Sequence, residues 1–110
     1  MRMSRAWKDF ELECAKAFGG MRRIRISYGE SGSDVIHPTL SIECKYGKCI
    51  PKKAFEGKRC KFLDWAFVQA TEYDLTKMPV VCLKAPGMRG FVAIQAYPLL
   101  TQVSHHPPSP

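Results

Sequence analysis

No apolar stretch in this chain approaches the roughly 20 residues that a membrane-spanning helix needs, so no spanning segment is expected. The basic start, residues 1–8, is not followed by an apolar signal core, and the expectation is a soluble, cytoplasmic protein. Acidic residues are few: 10 Asp and Glu stand against 17 Lys and Arg, leaving a formal net charge of +7. That balance favours a polyanionic partner, either nucleic acid or an anionic membrane surface. There is no internal repeat, which sets aside solenoids and propellers. Histidine is scarce, and His105 and His106 lie in a Pro-rich end. The cysteines number five and are scattered (Cys14, Cys44, Cys49, Cys60, Cys82), which argues against a disulfide framework. The only close pair, Cys44 and Cys49, has no matching Cys/His pair to complete a tetrahedral zinc site. The thiols therefore read as small buried apolar groups. A chain of 110 residues has room for one core.

Ser4 is placed to cap a helix over residues 5–18 that Gly19-Gly20 stops. Trp7, Glu11, Cys14 and Phe18 share one face of it, with Phe10 beside them, so Glu11 is an acid inside an apolar stripe. Residues 21–28 alternate like a strand, with Ile24, Ile26 and Tyr28 on one side. A Ser/Gly loop precedes a short strand at 34–37, and Pro38-Thr39 turns into a strand at 40–46. A loop is expected over 47–57, then a helix at 58–74 with Phe62, Trp65, Ala66 and Gln69 along one side. Strands at 79–84 and 91–96 follow. The expected fold is a single α/β domain over residues 1–100, with a mixed central sheet flanked by helices in the order α-β-β-β-α-β-β. Residues 101–110 are expected to form a disordered Pro-rich tail.

With Pro38-Thr39 as the turn, Val35 faces Ile42 and Asp34 faces Glu43. Directly opposed residues have Cβ atoms roughly 4.5–5.5 Å apart. Two carboxylates so placed repel each other, and a divalent cation between them reverses the sign of that interaction. Asp34 and Glu43 offer carboxylate oxygens to Mg²⁺, the backbone carbonyl of Cys44 offers another, and Glu11 can reach the same point directly or through water. Lys45 lies two residues beyond Glu43 on the same face, about 6–7 Å along the strand. A cation there would acidify a water and stabilise charge on a phosphate. Lys45 is then the group to orient or help deprotonate the attacking water and to stabilise the transition state.

Taken in order, Ser33-Asp34 followed by Ile42-Glu43-Cys44-Lys45 resembles the signature of the PD-(D/E)XK nucleases, with Ser33 where the family usually has proline. Phe10-Glu11, Ala15, Gly19-Gly20, Arg22 or Arg23, and Ser31-Gly32-Ser33 add a pattern similar to phage and archaeal Holliday-junction resolvases. Gln69 and Tyr73 are similar to the Q-x-x-x-Y helix of some nucleases in that superfamily. The resemblance spans residues 7–96. It implies a restriction-endonuclease-like core, dependence on Mg²⁺ or Mn²⁺, and phosphodiester hydrolysis leaving a 5′-phosphate. It also implies a homodimer that cuts opposed strands of a four-way junction in DNA recombination or repair, in a prokaryotic or phage-infected cell. A loop serine, Ser31 or Ser33, would stand near the scissile phosphate.

Arg22, Arg23, Arg25, Lys48, Lys52 and Lys53, with Gln69, are the candidate DNA contacts. Such contacts to phosphate position DNA without reading its sequence. Trp7, Phe10, Phe18, Phe62 and Trp65 read as core, while Phe91 and Leu99-Leu100 are candidates for a dimer surface. Two alternatives stay open: another nuclease of the superfamily (nicking, restriction-like or repair), and a non-catalytic basic module that binds nucleic acid.

Overall fold

Phe10, Cys14 and Ala15 recur at helical spacing and are all buried, the pattern of a helix laid on a sheet. The computed structural model describes residues 2–24 and 32–95, and there this helix is α1, Arg2–Phe18. Gly19, at φ +72°, ends it in the left-handed conformation that glycine adopts without strain. The chain continues through β1 (Met21–Arg22), β2 (Val35–Ile36), β3 (Leu40–Tyr46), α2 (Lys52–Phe55), α3 (Lys61–Tyr73), β4 (Met78–Lys84) and β5 (Val92–Ile94).

The strands form one sheet in the order β1-β2-β3-β4-β5. β3 and β4 are parallel and all other neighbours are antiparallel, so the β3–β4 connection must cross over, and α3 makes the crossover. Strand alternation then divides the core. Ile42 and Cys44 of β3 pack with Val80 and Cys82 of β4 against Phe10 and Cys14 of α1. Val81 and Leu83 pack on the other face against Leu63, Ala66 and Phe67 of α3. The protein is thus a single α/β domain: a mixed sheet between helices.

One consequence sets up the site. β3 is covered on both faces, yet its α3 side carries Ser41, Glu43 and Lys45, at 1%, 4% and 7% exposure. Buried polar groups are costly unless bonded. Ser41 meets this demand by donating its hydroxyl to the Ala70 carbonyl of α3.

Several expectations need correction. β1 ends at Arg22, so the strand expected over 21–28 does not include residues 23 and 24, and Ile24 is exposed. The loop after β3 contains α2, signalled by Pro51 before it and Gly57 after it at φ +72°. α3 starts at Lys61 and buries Leu63, Ala66, Phe67 and Ala70, an i, i+3, i+4, i+7 set that keeps Ala66 of the expected stripe and leaves Phe62, Trp65 and Gln69 on its flank. Trp7 and Trp65 are exposed rather than core. Cys14, Cys44 and Cys82 are buried free thiols, whereas Cys49 is exposed and Cys60 half-buried. Hydrogen bonding with Cys14, then with Cys82, and burial hold the Cys44 thiol well above its ordinary pKa. Arg25, Ser31 and residues 96–110, including Leu99, Leu100 and the expected tail, lie outside the described residues. Among the described residues no helix is long and apolar enough to cross a membrane.

Gly20 joins α1 to the sheet where there is no space for a side chain. A Cβ there would sit 2.6 Å from the Ile36 carbonyl oxygen and 2.9 Å from a Val35 methyl carbon. Gly20→Ala is therefore expected to push β2 away from α1 and to destabilise the fold by about 1–3 kcal/mol. A lowered urea midpoint at unchanged m-value checks this; an unchanged midpoint would show that the joint is loose.

Candidate active site

The geometry begins where β2 stops. Val35 pairs with Ile42, as the Pro38-Thr39 turn requires. His37 secures this turn: its Nδ1 accepts from the Thr39 and Leu40 amides, and its Nε2 is 2.9 Å from the Phe18 carbonyl oxygen. The main-chain ladder then ends. The Asp34 amide donates to the Ile42 carbonyl at 3.1 Å, but the next β3 amide on that edge, Cys44, donates to Asp34 Oδ2 at 2.7 Å. A carboxylate replaces a strand carbonyl. The backbone N–H and C=O of a strand residue point the same way, so the Cys44 carbonyl is also directed to the Asp34 side.

Asp34 is held from a second direction. The Arg23 amide donates to the Asp34 carbonyl at 2.9 Å, and Arg23 Nε donates to the Ser33 carbonyl at 2.6 Å. The Ser33 hydroxyl donates to the Val35 carbonyl at 3.0 Å. Ser33 therefore shapes the bend that presents Asp34, which is only 7% exposed.

On the α3 side of β3, Lys45 Nζ lies 2.9 Å from Glu43 Oε2. It also donates to Gln69 Oε1 at 2.6 Å and stands 3.7 Å from the centroid of the Trp65 ring. Trp65 and Gln69 are one turn apart on α3, so a single helix face holds the ammonium by a cation–π contact and a hydrogen bond. Gln69 is thus a positioning residue for Lys45, and Tyr73 follows one turn later, half-buried.

Glu11 occupies a neighbouring position. Its Oε2 accepts from Trp7 Nε1 at 2.7 Å and its Oε1 from Arg22 Nε at 2.8 Å. At 4% exposure it needs these partners, which explains an acid within the apolar stripe. Arg22 is correspondingly committed to Glu11. Lys48, Lys52 and Lys53 are exposed along the loop after β3 and on α2.

Asp34, Glu43, Cys44 and Lys45 are thus brought to one end of β2 and β3, while Glu11 and Arg22 form an ion pair at the α1–β1 side. Among the described residues no three His, Cys, Asp or Glu side chains are grouped to hold a metal by themselves. The donor set nevertheless suits Mg²⁺ or Mn²⁺. Mg²⁺ takes oxygen ligands, usually one or two carboxylates, and fills its remaining positions with water and substrate phosphate. Asp34, Glu43 and the Cys44 carbonyl are oxygen donors of that class. Trp7 and Glu11, like Trp65 and Gln69, stand i, i+4 on the faces their spacing assigns, but the Trp7–Glu11 hydrogen bond and the joint hold of Trp65 and Gln69 on Lys45 are not announced by that spacing. No family model matches the chain, and no curated protein or solved structure matches it either.

Proposed function

We propose that this protein is a metal-dependent DNA endonuclease of the PD-(D/E)XK kind, with a preference for four-way junctions. The observation that carries the reading is the end of the β2–β3 ladder. There a buried aspartate takes over a main-chain hydrogen bond beside a Glu-x-Lys strand whose two charged side chains are also buried. A chain selected for stability alone gains little from a buried ion pair compared with apolar residues of similar volume.

Asp34, Glu43 and the Cys44 carbonyl would hold the cation, which supplies charge against the phosphate and makes a water more acidic. The hydrogen bonds on Asp34 fix its carboxylate before substrate arrives, so little reorganisation accompanies the reaction. Lys45 is held between Glu43, Gln69 and Trp65, and places a donor beside the phosphate to orient the attacking water and stabilise developing charge. Glu11 and Arg22 brace the start of the sheet next to Asp34. The exposed Lys48, Lys52 and Lys53 are placed to contact flanking phosphates, so DNA binding is expected to weaken steeply with salt.

The junction preference, and the homodimer it requires for paired cuts, rest on the resemblance in the sequence. They are tested by incubating the protein with Mg²⁺ or Mn²⁺ and either a four-way junction or its linear duplex arms. Symmetric cuts confined to the junction support the resolvase reading. Equal cutting of both substrates would replace it with a more general nuclease.

A further inference from the structure

The chain has two tryptophans, and both line one cleft. It has a volume of about 190 Å³ and is formed by Trp7, Tyr46, Ile50, Phe62 and Trp65 together with Lys45. Trp7 is 37% exposed and Trp65 51%, so each leaves much apolar ring surface in water. Neither ring is loose. Trp7 is tied by its indole N–H to Glu11. Trp65 is held by the Lys45 ammonium and by the ring of Phe62, edge-on at 5.7 Å and 72°. Rings fixed in this way lose little rotamer freedom when a flat partner stacks on them.

The cleft is smaller than the roughly 300–1,000 Å³ of pockets for drug-sized ligands, which suits a single planar ring. Its surroundings are cationic: Lys45 lines it, the exposed Lys48, Lys52 and Lys53 follow on the next loop and helix, and the chain carries +7 overall. An apolar peptide side chain would match the walls but leave the charge of the exposed Lys48, Lys52 and Lys53 unanswered. A base on a phosphate backbone matches both, because every base offers a π-face to an aromatic side chain.

We infer that the Trp7–Trp65 cleft is a stacking subsite for one unpaired or extruded nucleobase of the substrate. The inference rests on the reading of the adjoining Asp34–Glu43–Lys45 group as a phosphodiester site, and it narrows the substrate class. The preferred DNA presents an unpaired nucleotide next to the phosphate that is cut, or lets one be extruded there, which costs less where stacking is interrupted than within a continuous duplex.

The test separates base from backbone. Binding is measured without metal and in the presence of a chelator, by anisotropy of a labelled short oligothymidylate and of an abasic strand of the same length and charge. The thymidine strand is expected to bind roughly tenfold tighter than the abasic one and to quench the protein's tryptophan emission. Trp65→Ala should remove the preference for the thymidine strand, lowering that affinity far more than the abasic one, and Trp65→Phe, which keeps a ring beside the Lys45 ammonium, should retain most of the preference. A general loss of fold would lower both affinities, and then the wild-type comparison and Trp65→Phe decide. Equal affinity of the wild type for the two strands, or a preference that survives both Trp65→Ala and Trp7→Ala, overturns the inference. A protein with the base preference that cuts no DNA would keep the subsite and lose the nuclease reading. One that cuts DNA without the preference would do the reverse.

Discussion

Asp34→Asn is expected to leave the protein folded and to lower metal-dependent cleavage by roughly 10³-fold or more. A cation at a scissile phosphate contributes several kcal/mol of charge stabilisation, and each 1.36 kcal/mol is a factor of ten in rate. Folding should survive because the structural duty of Asp34 is to accept the Cys44 amide at 2.7 Å, and an asparagine carbonyl can accept the same bond. Asp34→Ala cannot. It would leave a buried amide without its acceptor, at a cost of about 1–3 kcal/mol. The two variants should be alike in activity and different in denaturation midpoint. If Asp34→Asn cleaves at the wild-type rate, Asp34 is only a cap on the end of the β2–β3 ladder.

Lys45→Met should be damaging in both respects. Lys45 is 7% exposed, and its ammonium pairs with Glu43 at 2.9 Å. Removing one member of a buried pair leaves the other charge uncompensated and costs about 3–5 kcal/mol. Cleavage should fall by about 10²–10³-fold, the loss that accompanies removal of one donor to transition-state charge. The double variant Glu43→Gln with Lys45→Met separates the two effects. Removing both charges should restore most of the stability, as replacing whole buried pairs often does, while activity stays low. Unfolding midpoints and single-turnover cleavage rates read the two quantities. A double variant no more stable than Lys45→Met alone would show that the pair is not the main interaction of either group.

Much of this site was legible because strand periodicity is two. Once Pro38-Thr39 is the turn, the Val35–Ile42 register follows, and with it the placing of Asp34 beside the Glu43–Lys45 face. The parallel β3–β4 pairing is a tertiary choice that no local pattern announces. It makes β3 a central strand and buries Glu43 and Lys45, whereas alternation says only that they share a face. Helix faces were less legible. In α3, the expected Phe62, Trp65, Ala66 and Gln69 and the buried Leu63, Ala66, Phe67 and Ala70 are adjoining helical faces that share Ala66, and the wholly apolar one took the core. Residue size therefore misled for Trp65, as it did for Trp7, whose indole is turned to Glu11. α2 was missed because one short turn with two exposed lysines carries no apolar periodicity, although Pro51 and Gly57 bracket it.

The central claim is that the end of β2 and β3 is a metal-dependent phosphodiester-cleaving centre. Its most direct test is single-turnover cleavage of a labelled four-way junction by the wild type and by Glu43→Gln, each with Mg²⁺, with Mn²⁺ and with chelator. The expected result is cleavage by the wild type only with metal, leaving 5′-phosphate ends, and a rate near background for Glu43→Gln at unchanged DNA binding. Wild-type protein that binds the junction but leaves it and linear DNA intact with either metal would contradict the claim and leave a basic nucleic-acid-binding domain in its place.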